Sequence, residues 1–327
     1  MRTPPEGLQE RDLVMCLAGG WGLDVASVRY APVGFGSHHW DVRDAAGERY
    51  FVTVDDLDVK GWLGDDRDSA FAGLQVAFDA AVALHRDGRL SFVVAPIPAI
   101  GGETVLRLEP RYGVALFPFV DVSGGSVMEH TPGERAHVVR LLADLHAATP
   151  VAAGIARRRH LDLPHRRRLE AALDDPDRPW TGGPLSEPVR DLLAGHAPAL
   201  RQRLLTFDRL AAELAVAERD VVITHGEPHG GNLPRAGDQL VLVDWDTVGL
   251  APPERDLWMV GDDAEALALY AQITGRQVDP RAIELYRLRW ALDDISSFTN
   301  QLRSPHARTA DAEKAWKGLQ LYLRSEG

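Results

Sequence analysis

The chain has 327 residues, 45% hydrophobic and 26% charged, and its 48 acidic against 36 basic side chains give a net charge of −12. That length buries a sizeable core and suggests two lobes, while the acidic balance argues against a nucleic-acid partner and suits a cationic one. No apolar run approaches the roughly 18 residues of a membrane span, no signal pattern opens the chain, and a lone cysteine, Cys16, excludes an internal disulfide or a multi-cysteine metal site, so a cytoplasmic location with no membrane partner is expected.

In chain order, residues 8–19 read as a helix stopped by Gly19-Gly20. Short strands are expected at 28–30, 39–43 and 50–54, with a Gly34-Phe35-Gly36 bend between the first two and a turn at 44–47. Residues 68–86 carry Phe71, Leu74, Phe78 and Val82 close to helical spacing. Strands at 91–95, 105–108 and 112–117 follow, and the segment Asp121-Val122-Ser123-Gly124-Gly125 marks a lobe boundary. Beyond it the pattern turns helical: 133–149 with Val138, Leu141, Leu142 and Leu145, a charged stretch at 160–178, a long pattern at 188–218, and 263–322. Two short strands, 221–224 and 240–243, interrupt it. The expectation is an α+β fold, with a strand-rich lobe over 1–120, a mainly helical lobe over 121–327 and a cleft at their junction.

The chemistry concentrates in Val222-Ile223-Thr224-His225-Gly226-Glu227-Pro228-His229-Gly230-Gly231-Asn232-Leu233 and in Leu242-Val243-Asp244-Trp245-Asp246. If the two strands are neighbours, their ends bring Glu227, Asn232 and Asp244 to a common point. Phosphoryl transfer needs that inventory: a carboxylate to orient and deprotonate a hydroxyl, and an amide with a second carboxylate to hold Mg²⁺ against phosphates. A zinc motif from His225, Glu227 and His229 would need a helix, which Gly226 and Pro228 oppose.

These residues resemble the aminoglycoside phosphotransferase family, relatives of the protein kinases. The likeness rests on His225-Gly226-Glu227-(four residues)-Asn232, Val243-Asp244-Trp245-Asp246 and Pro253-Glu254-Arg255-Asp256. The segments 141–147, ending as LxxLH does, and Phe117-Pro118-Phe119-Val120-Asp121 extend it. The resemblance implies a bilobal protein-kinase-like fold in which residues 1–120 bind nucleotide and 121–327 carry the catalytic loop and the acceptor pocket. It implies Glu227 as the catalytic carboxylate, Asn232 and Asp244 as Mg²⁺ ligands, Asp256 as a structural brace, and backbone groups of Pro118 and Val120 as the adenine contact; His225 itself reads as a loop-anchoring side chain and not a metal ligand. The co-substrate would be ATP or GTP, and the acceptor an amino-sugar or aminocyclitol, in a monomer or dimer. The order of motifs resembles most the spectinomycin-phosphorylating branch, in which the role is antibiotic resistance.

Two positions depart from the family. Glu227 stands where the family has Asp, and Thr53 where it has a phosphate-gripping lysine on the third strand. Lys60, the one lysine before Lys314, is either that lysine's substitute or a solvated surface residue. Gly34, Gly36 and Ser37 read either as a plain turn or as a loop over the phosphates. Asp246, Trp290, Asp293 and Asp294 read either as a solvated face or as acceptor-binding groups. The runs 157–159 and 166–168 of arginine read as solvent-facing or ion-paired. A pseudokinase that binds nucleotide without transfer, or a kinase of an ordinary metabolite, is the alternative.

Overall fold

A computed structural model describes residues 1–5, 7–121, 130–215, 220–261 and 263–324. Helix α1 (Glu10–Trp21) precedes strands β1 (Val25–Ala31), β2 (Ser37–Asp44) and β3 (Arg49–Asp56), helix α2 (Arg67–Arg86), and strands β4 (Leu106–Leu108) and β5 (Tyr112–Pro118). Helices α3 (Pro132–Ala147), α4 (Thr149–Ala152), α5 (Arg166–Asp174) and α6 (Ser186–Ala215) follow. Short strands β6 (Val222–Thr224), β7 (Arg235–Ala236), β8 (Gln239–Leu240) and β9 (Gly249–Ala251) lead to helices α7 (Glu254–Leu257), α8 (Ala264–Thr274), α9 (Pro280–Arg303) and α10 (Ala310–Arg324). No helix among the described residues is long and apolar enough to cross a membrane.

The chain forms two compact units, Met1–Arg159 with Asp220–Val278, and His160–Arg219 with Asp279–Gly327. The junction expected at 120/121 falls within the first, and residues 122–125 of its Gly/Ser segment lie outside the described residues. In the first unit an antiparallel sheet has the strand order β1-β2-β3-β5-β4. Trp40, Val42, Val52, Val54, Val114 and Leu116 bury against Leu13 and Leu17 of α1. Side-chain period two therefore sends Ser37, His39, Thr53 and Asp55 to the other face, where register sets Ser37 opposite Asp55 and His39 opposite Thr53. In the second unit α5, α6, α9 and α10 share a core that includes Leu169, Leu193, Leu200, Ile295 and Leu319.

Three expectations about elements are corrected. Helix α1 runs through Gly19-Gly20 and ends at Gly22, whose left-handed φ of 69° lets its N–H reach the Ala18 carbonyl. Residues 91–95 make no strand, only a bridge from Val93 to Leu242, because Pro96 and Pro98 remove ladder donors just beyond. The strand expected at 240–243 shrinks to β8, and β6 pairs with β9 instead. In α2 the buried face is set by Leu74, Phe78 and a series of alanines, with Phe71 and Val82 half-buried.

Replacing Gly22 by Ala keeps the fold but forces a β-carbon into the left-handed region. The expected cost is about 1 kcal/mol, read as a lower urea midpoint at unchanged slope.

Candidate active site

Strand β6 is wholly buried and delivers the chain to His225. The next two peptide N–H groups, those of His225 and Gly226, donate to the two oxygens of the Asp256 carboxylate at 2.9 and 2.6 Å. That carboxylate also meets His146 Nε2 at 3.1 Å, and His146 Nδ1 lies 2.8 Å from the Tyr270 hydroxyl. Burial alone would raise the Asp256 pKa; the His146 hydrogen bond and neighbouring positive charge overcome it and hold the group ionised, below its ordinary range. Gly226 has φ of 100°, and a side chain there would strike the Arg255 guanidinium. Arg255 in turn donates to Thr224 Oγ1 at 2.7 Å and to the Thr247 carbonyl at 2.8 Å.

His225 is completely buried and serves the loop's shape. Its Nε2 lies 3.0 Å from the Val243 carbonyl and its Nδ1 accepts the Glu227 N–H at 3.2 Å, so both nitrogens are committed within the protein. Burial lowers its pKa to about 4, which keeps the ring neutral. The backbone around it is not helical, and the zinc reading lapses. Asn232 Nδ2 donates to the Glu227 carbonyl at 3.0 Å, and the Val243 N–H donates to the Asn232 carbonyl at 3.0 Å. These bonds tie the Glu227 loop to the residue just before Asp244. The two segments meet through them, and not as the tips of adjacent strands.

Asp244 adopts φ 68°, ψ 70°, a left-handed conformation that strained functional residues often take. It is recessed among protein atoms yet open to solvent. Those surroundings, then the charge of Asp246, push its pKa upward against the pull of Lys60. Among the described residues no group of three or more His, Cys, Asp and Glu side chains is arranged to hold a metal ion. The expected pair is an amide and a carboxylate. With the Asn232 Nδ2 spent on Glu227, its side-chain Oδ1 and the Asp244 carboxylate would supply hard oxygen donors of the kind that fit magnesium, which keeps several waters.

Lys60 is not a solvated residue. Its side chain is 2% exposed, and its ammonium lies 2.6 Å from Asp246 Oδ2, 2.8 Å from Asp55 Oδ1 and 3.0 Å from Ser37 Oγ. Ser37 Oγ also donates to Asp55 Oδ1 at 2.6 Å. Burial would lower the lysine's pKa, but Asp246, Asp55 and Asp244 together raise it, and it stays charged. Asp246, read from sequence as acceptor-binding or solvated, is buried and bound to Lys60. Thr53 lies on the same sheet face as Asp55, and its buried hydroxyl has no hydrogen-bond partner. Gly34 and Gly36 both have positive φ, and Gly36 leaves its α-carbon open toward the Lys60 ammonium, 4.0 Å from where a β-carbon would stand.

Pro118 and Val120 lie at and just beyond the end of β5, where Pro118 pairs with Tyr50. Trp290, Asp293 and Asp294 lie in the second unit on α9. There Trp290 Nε1 donates to the Tyr322 hydroxyl at 2.7 Å, and burial raises the Asp294 pKa to about 6 against a hydrogen bond from Tyr322. Sequence reasoning missed Asp55, Tyr270, and His130, whose Nε2 lies 2.8 Å from the Pro228 carbonyl. Strand alternation from Thr53 signals Asp55; nothing local signals Tyr270 or His130.

An antiparallel five-stranded sheet followed by a helical region is the architecture of the kinase-like phosphotransferases. The chain belongs to the phosphotransferase enzyme family, whose sequence model matches residues 28–290. Its fold is similar to a spectinomycin phosphotransferase solved with ADP and spectinomycin, at 17% identity and a TM-score of 0.75 over 96% of this chain and 94% of that one. It is also similar to a microcompartment-associated aminopropanol kinase, at 15% identity and 0.63 over 96% and 95%. A macrolide 2'-phosphotransferase from Brachybacterium faecium gives 16% identity and 0.52 over 99% of both chains. No curated protein matches.

Asp256→Asn offers one neutral acceptor oxygen for two buried N–H groups and turns an amide donor toward the other, and should cost about 1–3 kcal/mol at pH 7. Because the folded pKa lies below the ordinary 3.8, the stability from this ionisation is present above about pH 4 and is lost as pH falls through the folded value. Urea titrations should therefore show the gap between parent and variant narrowing below pH 4.

Proposed function

We propose that the protein transfers the γ-phosphate of ATP or GTP to a hydroxyl of a small polar acceptor, with an amino-sugar or aminocyclitol as the class to test first. The observation that carries this reading is the Lys60 ammonium, fixed between Asp55 and Asp246 close to Asp244. It supplies the cation that Thr53 cannot. In this reading Lys60 contacts phosphate oxygens, the Gly34–Ser37 bend covers them, and backbone groups of Pro118 and Val120 receive the base. Asn232 and Asp244 would hold Mg²⁺, which would neutralise charge on the phosphates. Glu227 would orient the acceptor hydroxyl and accept its proton as the new P–O bond forms and the bond to the departing nucleoside diphosphate breaks. The structural neighbour that holds spectinomycin supports the choice of class, and the aminopropanol kinase supports including simple amino alcohols.

The purified protein with Mg-ATP or Mg-GTP and a panel of aminocyclitols, aminoglycosides, amino-sugars and amino alcohols should release nucleoside diphosphate with at least one acceptor. Nucleotide binding without release across the panel would leave a binding protein, and no binding of either nucleotide would remove the reading. Where turnover exists, Glu227→Gln should lower kcat by about 10²–10⁴ with little change in nucleotide affinity. Asp244→Asn should abolish the magnesium dependence of nucleotide binding in thermal-shift titrations.

A further inference from the structure

We propose that Arg159, seconded by Arg157, is a positioning residue that sets Lys60 against Asp246 by tying together the two loops that carry them. The inference rests on the reading of Lys60 as the phosphate-contacting cation. Residues 157–159 form a one-residue parallel bridge beside β9: the Leu250 N–H donates to the Arg157 carbonyl and the Arg159 N–H to the Leu250 carbonyl, each at 2.9 Å. In that extended backbone residues two apart share a face, so Arg157 and Arg159 point the same way and Arg158 the other.

The Arg159 guanidinium then spans the gap. Nη1 donates to the Trp62 carbonyl at 3.1 Å, Nη2 to the carbonyls of Asp246 at 3.2 Å and Val248 at 2.9 Å, and Nε to Val248 at 3.2 Å. Arg157 Nη1 donates to the Leu63 carbonyl at 3.0 Å, and the Leu63 N–H closes the turn onto the Lys60 carbonyl at 2.9 Å. One planar fork thus serves carbonyls on both sides of the Lys60–Asp246 ion pair. A lysine there would present a point charge and could not span them. Gly249 makes room for it: a β-carbon at that position would stand 2.6 Å from Arg159 Cγ and 2.7 Å from Nε. Lys60 sits on a loop and not within a ladder, so its place must be set by contacts of this kind.

The three lysines of the chain allow a direct test, since Lys314 and Lys317 are exposed and serve as internal references. Parent, Arg159→Met, Arg159→Lys and Arg158→Ala proteins are treated with an amine-reactive acetylating reagent, and modification is read lysine by lysine by mass spectrometry. Affinities for Mg-ATP and for adenosine are measured in parallel. In the parent and in Arg158→Ala, Lys60 should react at least tenfold more slowly than the references. In Arg159→Met and Arg159→Lys its rate should rise about tenfold, and the preference for Mg-ATP over adenosine should fall by a similar factor with adenosine affinity unchanged. If Arg159→Met does not fold, Arg159→Lys carries the comparison. A folded Arg159 variant with Lys60 as protected as in the parent would overturn the proposal, as would equal losses of Mg-ATP and adenosine affinity. Faster labelling of Lys60 in the Arg159 variants than in the parent, with neither preferring Mg-ATP over adenosine, would support the clamp and sink the nucleotide reading beneath it.

Discussion

A charged amine taken out of water is tolerated only when its partners replace the lost hydration, and the neighbourhood of Lys60 is built to that requirement. Two carboxylates and a hydroxyl surround the ammonium, one of the acids and the hydroxyl arriving in register from β2 and β3 and the other acid from 186 residues away in sequence. Removing the ammonium would strand two buried carboxylates, a loss on the order of 3–5 kcal/mol, whereas the intact set contributes little net stability. Such an arrangement is poor as a stabilising device and good as a means of fixing a charge in place. It also leaves an imbalance: Asp55, Asp244 and Asp246 bring three negative charges against one ammonium. A divalent cation would bring these four groups to neutrality. The upward push on Asp244 reflects its crowded setting and this same excess of anions.

The fixing of charge extends to the backbone of the His225–Leu233 loop. Asp256 accepts two consecutive N–H groups, His225 bonds to Val243 and to the Glu227 N–H, Asn232 bonds to the Glu227 carbonyl, and His130 bonds to the Pro228 carbonyl. Each is a polar group that would be costly to leave unpaired when buried. Together they remove freedom that would otherwise have to be lost when substrates bind, which is how a site gains rate from orientation.

Much of this was legible in the sequence, and the boundary of legibility has a physical origin. Short alternating runs located the first strands, because period two is local. The spacing from His225 to Asn232 and on to Asp244 and Asp256 pointed to one site, because the loop chemistry is carried by nearby residues. The element ends were less secure: two glycines at 19 and 20 look like a stop, yet only Gly22 takes the left-handed φ that ends the helix. Lys60 was recognisable as a candidate by scarcity of lysine, but its burial depends on Asp246, which no local pattern connects to it. A run of three arginines looks solvated until the bridge to Leu250 turns the first and third to one side.

The substitution at Glu227 has consequences that follow from the pinned loop. In the family this position is an aspartate, and a glutamate carries its carboxylate about 1.5 Å farther along one more C–C bond. A retreat of the backbone would compensate, but the peptide is held on both sides of the residue, at Gly226 by Asp256 and at Pro228 by His130, while its own carbonyl accepts the Asn232 amide. The extra methylene therefore displaces the carboxylate relative to Asn232 and Asp244, the pair proposed to hold magnesium, and not the loop relative to the protein. An acceptor hydroxyl that meets this base must stand correspondingly farther from the loop, or the side chain must fold back at the cost of a less favourable rotamer. Either way the longer carboxylate narrows the acceptors whose hydroxyl can be aligned for attack, so in the proposed reaction Glu227 acts as a selector of substrate geometry as well as a base.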